Sequence, residues 1–214
     1  MALPALDARR FMRSLEASAT TLGRPHVKLL GLVDHVRALT GRAPYAIVGG
    51  VAQILWARKT HTDDLDVAVA SAVLHRAIER VRRRNAPRGW RLPDAPDRAI
   101  ESDEILEVAH LAYRGSVVDL LTFQDRAFME EILTTAQTVA GVGNYRFIRP
   151  ELLLVTHLLR PRVEAALAAV ELLLARRAAG DFDEPYAKRW AQRVGRATAY
   201  QRALDRAAEL QRDG

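Results

Sequence analysis

The sequence predicts an α/β domain followed by a helical one. Three observations carry this. Up to about residue 149, short apolar runs ending in glycine turns alternate with stretches of helical periodicity. From Pro150 onward every patterned stretch is helical. With 214 residues, 49% hydrophobic and 27% charged, the chain has the composition of a globular protein and the length to bury a core. The expected organisation is N-terminal helices over 1–42, an α/β domain over 43–149 and a C-terminal helical domain over 150–214.

The elements follow in order. Leu29, Leu30, Leu32, Val33, Val36 and Leu39 recur at three- and four-residue intervals, with Asp34, His35 and Arg37 on the other face, which predicts a helix ended by Gly41-Arg42-Ala43-Pro44. Tyr45 to Val48 is a short apolar run closed by Gly49-Gly50, a buried strand and a tight turn. Val51 to Arg58 has helical composition. Asp64 to Ala70 begins by alternating polar and apolar residues and then turns wholly apolar, as in a strand whose first half reaches a surface. Ser71 is placed to cap a helix from about Ala72 to Asn85, and a Pro-, Asp- and Arg-rich loop follows. Glu107–Tyr113 and Ser116–Phe123 alternate about Arg114-Gly115 and read as a β-hairpin. Further short strands are expected in Gln137–Ile148, and helices over Glu151–Leu159, Val163–Ala179, Pro185–Val194 and Thr198–Gln211.

Composition excludes several classes. With no cysteine, the chain has no disulfide scaffold, thiolate zinc site or cysteine nucleophile. No run of eighteen apolar residues is present, so no transmembrane helix or membrane partner is expected. The first residues, MALPALDARRFMRSL, lack the apolar stretch of a secretory signal, and the cytoplasm is the expected location. The net charge of +6 suits a polyanionic partner or an arginine-laced solvent surface. All but three of the basic residues (Lys28, Lys59 and Lys188) are arginine.

One segment carries chemistry. Gly49-Gly50 between strand and helix allows close backbone approach and offers free N–H groups to a phosphate. Asp64 and Asp66 alternate on a strand, so they share a face roughly 7 Å apart and repel unless a hard cation lies between them. Mg²⁺ takes such oxygen ligands. Asp119, in Val117-Val118-Asp119-Leu120-Leu121, is placed to add a third carboxylate from a neighbouring strand. Asp63, odd in the alternation, should point away.

A Gly-Gly turn, thirteen residues, then Thr62-x-Asp64-x-Asp66 and a later strand-borne Asp119 resembles the minimal nucleotidyltransferases of the DNA polymerase β-like superfamily. Arg149-Pro150-Glu151-Leu152-Leu153-Leu154, Phe182-Asp183-Glu184-Pro185-Tyr186 and Trp190 look like the C-terminal part of AbiEii-type and related stand-alone bacterial nucleotidyltransferases. The resemblance covers roughly 45–204. It implies the nucleotidyltransferase fold, a mixed sheet flanked by helices, binding Mg²⁺ (or Mn²⁺) and a nucleoside triphosphate (NTP) such as ATP. On it, Gly49, Gly50 and Thr62 would bind the nucleotide. Arg58 or Lys59 would supply the phosphate-facing cation in place of an arginine that many relatives carry where Thr60 stands, and Arg160 or Arg162 could contact phosphate too. Asp64, Asp66 and Asp119 would ligate metal, and Asp119 would also help deprotonate the acceptor hydroxyl. The implied acceptor is the 3′ end of a tRNA or other RNA, a protein side chain or a small molecule. Many relatives are toxins of toxin–antitoxin systems, which implies a cognate antitoxin as partner. The alternative is a catalytically silent nucleotidyltransferase fold serving as a nucleotide-binding or regulatory module.

The remaining polar residues have plain expectations. His61 is a loop histidine, His110 a sheet-surface residue and His157 a packing residue on a helix. Asp103, Glu104 and Glu107 read as a solvated acidic face, Arg82-Arg83-Arg84 as a solvated helix end, and Trp90 and Trp190 as packing residues.

Overall fold

The computed structural model describes residues 10–15, 29–57, 59, 62–93 and 100–212. Helix α1 (Leu29–Thr40) buries Leu29, Leu32, Val33, Val36 and Leu39, so its periodic apolar stripe faces the core. Of the expected N-terminal helices, residues 10–15 are also helical, with Phe11 packed edge-on against Phe147; 1–9 and 16–28 lie outside the described residues.

Among the described residues six strands form one mixed sheet. Strands β1 (Tyr45–Ile47), β2 (Asp64–Val69), β6 (Ser116–Phe123), β5 (Leu106–Tyr113) and β3 (Trp90–Arg91) lie side by side in that order, and β4 (Ile100–Ser102) also pairs with β5. Only β2 and β6 run parallel; the other pairings are antiparallel. Past Asp64, β2 is buried throughout, as expected of a central strand covered on both faces. By contrast β5 alternates: Glu107, Ala109, Leu111 and Tyr113 are buried, while Leu106, Val108, His110 and Ala112 are half-buried on the opposite face.

Helices α2 (Gly49–Trp56), α3 (Ser71–Arg82) and α4 (Arg126–Thr135) complete the first part. Helix α2 is fixed at its far end: the buried Trp56 Nε1–H donates to Ile148 O at 2.8 Å, and Gln53 Nε2–H donates to Ala168 O at 2.9 Å. The second part contributes α5 (Pro150–Leu159), α6 (Val163–Ala179), α7 (Glu184–Arg193) and α8 (Ala197–Arg212). Every residue of α5 except the half-buried His157 is buried, which makes it the central helix of this group. Proline opens α5 at its first position, where no N–H is missed, and Gly180 closes α6 in the left-handed conformation. No helix among the described residues is long and apolar enough to cross a membrane.

Several local expectations are corrected. Helix α2 begins at Gly49, so the glycines form its first turn instead of preceding it. Ser71 is the first residue of α3, whose cap position is Ala70, and no side chain caps it. Residues 137–148 form only isolated bridges, in which Phe147 meets both Ile47 and Gln137. Helix α4 was not foreseen; Asp125 starts it by accepting the Phe128 N–H. The two-residue β3 and three-residue β4 are too short to show a period. Glu107 is buried and faces His75 Nε2 at 3.2 Å, so it does not belong to a solvated face. Trp90 and Trp190 do pack, against Tyr113 and Phe128 respectively.

Candidate metal centre and its cleft

Strand register builds the centre. In the parallel β2–β6 pair, Asp66 lies directly beside Asp119, and Asp64 shares their face because it is two residues before Asp66. One oxygen from each of the three carboxylates lies within 4.8 Å of the others. Asp66 is 7% exposed, and the other two are half-buried. Burial pushes the Asp66 carboxyl up to about 7, with repulsion from Asp64 and then Asp119 adding to it; Arg160 and the Gly50 N–H pull the other way. Asp119 is also raised, chiefly by burial, although its contact with His110 opposes the shift.

This donor set suits a divalent cation. All its atoms are hard carboxylate oxygens at sharing distance, and like charges held this close cost free energy until an opposite charge joins them. Mg²⁺ or Mn²⁺ matches such oxygens; softer metals prefer the thiolates this chain lacks.

The glycines make room for the acids. Gly49 has φ +56°, and a Cβ there would come within 1.8 Å of Asp66 Oδ2. A Cβ on Gly50 would come within 2.0 Å of Thr62 Oγ1. Val48 N–H donates to Asp66 O at 3.1 Å and Gly50 N–H to Asp66 Oδ2 at 3.3 Å, which ties the start of α2 to β2. Thr62 Oγ1–H in turn donates to Asp64 Oδ1 at 3.0 Å.

The carboxylates form the floor of a cleft of about 1050 Å³. Gly49, Gly50, Thr62 and Lys59 line it; β5 and β4 contribute His110 and Glu101; Arg160 and Arg162, at the α5–α6 junction, line it as well. His157 also lines the cleft, where its Nε2 meets Gln53 Oε1 at 3.0 Å. Burial, helped by the charges of Arg160 and Lys59, pushes the His157 pKa down to about 4, so the ring is neutral and donates this bond.

Of the residues singled out from the sequence, Gly49, Gly50, Lys59, Thr62, Asp64, Asp66 and Asp119 therefore meet at one cleft. Arg58, Thr60 and His61 lie outside the described residues. Three participants were missed. His157 reads as a packing residue on a helix, Gln53 carries no expectation of its own, and nothing in the sequence pairs them. His110 was legible: a two-residue turn at Arg114-Gly115 puts Tyr113 opposite Ser116, and counting three residues back along each strand puts His110 opposite Asp119.

Fold and site thus define a mixed α+β protein with a mixed sheet flanked by helices, several C-terminal helices, and three acids close enough to bind one metal ion. No protein-family model matches the chain, and no curated protein matches it in sequence.

Proposed function

We propose that this protein is a metal-dependent nucleotidyltransferase, moving a nucleoside monophosphate from an NTP to a hydroxyl acceptor. The convergence of Asp64, Asp66 and Asp119 on the floor of a cleft also lined by cations carries this reading. Those three acids would hold Mg²⁺ or Mn²⁺, which when bound supplies charge neutralisation for the polyphosphate. Arg160, with Arg162 and Lys59, brings positive charge to the same cleft and would hold the phosphates by point-charge and hydrogen-bonding contacts. The cleft is at the upper end of small-ligand sites, with room for an NTP beside part of an acceptor. The acceptor oxygen would attack the α-phosphorus in line as its proton passes to Asp119, and the bond to the β-phosphate would break to release pyrophosphate. Positioning and charge complementarity would provide most of the rate. The basic surplus favours an RNA acceptor, since a transcript is a polyanion.

The test is incubation of purified protein with Mg²⁺ or Mn²⁺, each α-labelled NTP in turn, and total tRNA or cell lysate. Label should move to a macromolecule or small acceptor, and Asp66→Ala should cut the transfer about 10³-fold or more, the scale of losing a central electrostatic contact. One observation favours a second reading, a nucleotide-binding module without turnover. The Gly50 N–H, which would otherwise be open to a phosphate, is engaged with Asp66 Oδ2. Saturable NTP binding with no label transfer to any acceptor would select that reading. Absence of both NTP and metal binding by folded protein would overturn both.

A further inference from the structure

His110 is the side chain nearest the metal centre that the proposed chemistry leaves without a role. It lies directly opposite Asp119 across the β5–β6 ladder, and its Nδ1 is 2.9 Å from Asp119 Oδ1. Its Nε2 lies 3.7 Å from Glu101 Oε2, a residue of β4. The ring is therefore held between two carboxylates, one inside the acid cluster and one on the outermost strand. An ionised carboxylate only accepts hydrogen bonds, so the contact to Asp119 requires the proton on Nδ1.

Geometry gives this contact a consequence. Asp119 must share a small space with two other acids, and a free carboxylate there would rotate away from them. A donor fixed on one oxygen sets the plane of the group and withdraws some of its negative charge. Asp119 belongs to two ladders at once: the antiparallel β5–β6 pair sets it opposite His110, and the parallel β2–β6 pair sets it beside Asp66. We propose that His110 is a positioning residue: its Nδ1–H fixes Asp119 in the orientation that completes the three-acid metal centre, while Glu101 steadies the ring from the other side. The proposal rests on the reading of these acids as metal ligands. Partners that orient metal ligands in this way typically contribute about 10- to 100-fold in metal affinity.

A purely electrostatic role predicts the opposite sign. A histidine that carried positive charge beside the site, or that competed with the metal for Asp119, would weaken cation binding, and its removal would tighten it. The experiment titrates Mn²⁺ alone into the full-length protein, read by calorimetry and by the loss of the free-ion paramagnetic resonance signal. His110→Ala should weaken Mn²⁺ binding by about 10- to 100-fold. His110→Asn, whose side-chain N–H falls near the position of Nδ1, should recover most of that loss. His110 is partly exposed, so thermal melts of both variants should stay close to the parent; a variant that fails to fold is replaced by Glu101→Gln, for which a smaller weakening of the same sign is expected. Unchanged or tighter Mn²⁺ binding in folded His110→Ala, with Asp66→Ala binding none, would overturn the positioning role and leave the metal reading intact. A parent protein that binds no Mn²⁺ would overturn the metal reading and this proposal with it.

Discussion

Buried charge is handled in two opposite ways in this molecule. In the C-terminal helices each buried charge has a partner. Arg176, 1% exposed, donates through Nε to Asp181 Oδ1 at 2.8 Å and through Nη2 to Asp181 Oδ2, and its guanidinium lies over the Trp56 ring. Glu151, equally buried, accepts from Arg149 Nε at 3.1 Å and from the Asp183 N–H at 3.0 Å. On the central β2–β6 pair three acids are instead gathered against one another, with Asp66 buried among them. Among the described residues their polar contacts are a backbone N–H, a hydroxyl and one histidine, with no lysine or arginine in contact. Opposite charges that neutralise one another serve the fold. Like charges held together raise its free energy, and such a feature is expected where the missing charge comes from a ligand.

The contrast can be broken by removing one acid from each region. The larger effect belongs to the helices: Asp181→Ala leaves the Arg176 guanidinium buried without its carboxylate and should destabilise by about 3 kcal/mol or more. For a chain of this size that lowers the melting temperature by about 10 °C. A shift under about 2 °C would show that water or Trp56 suffices for Arg176.

Asp66→Asn should act in the other direction. In metal-free protein at pH 8, with a chelator present, it should stabilise by roughly 1–2 kcal/mol, the usual gain from relieving a functional site. The pH dependence follows from the raised pKa. An unfolded aspartate titrates near 4, whereas Asp66 in the fold titrates at about 7. Between those values the folded state holds the extra proton, so this residue's contribution to stability is fully present below about 4 and is lost as pH rises through 7. The melting difference between Asp66→Asn and the parent should therefore widen from pH 5 to about pH 7 and then level off. A variant less stable than its parent at pH 8 would mean that the cluster is a structural network.

The elements legible in the sequence were those whose period is long enough to count. The β5–β6 hairpin about Arg114-Gly115, the buried β2 and the helices from Pro150 onward have six or more residues of clean pattern. Helix α4 was passed over although Asp125, Phe128, Met129 and Ile132 have cap and core spacing, because it follows a strand without a glycine or proline to mark the break. Glu107 was misread because period alone assigns a face and not the nature of that face: its side is the covered one, and His75 from α3 lies beside it. The acids of the site were readable because Asp64 and Asp66 are neighbours on one strand, and Asp119 needed only one further pairing. The parallel β2–β6 register itself was beyond reach, since more than forty residues separate the two strands and no turn fixes their alignment. The Arg160, His157 and Gln53 side of the cleft depends on how α5 packs against α2, which no local pattern encodes.

The central claim is that the three acids are held together for a divalent cation. Titration of Mn²⁺ into metal-free protein at pH 8, followed by calorimetry for the parent and for Asp66→Asn, tests it directly. The parent should bind with saturable heat and gain thermal stability as Mn²⁺ is added, as any ligand selective for the folded state requires. Asp66→Asn should lose that binding while melting at or above the temperature of the metal-free parent. Mn²⁺ binding that survives the substitution, or a folded parent that binds none, would contradict the account.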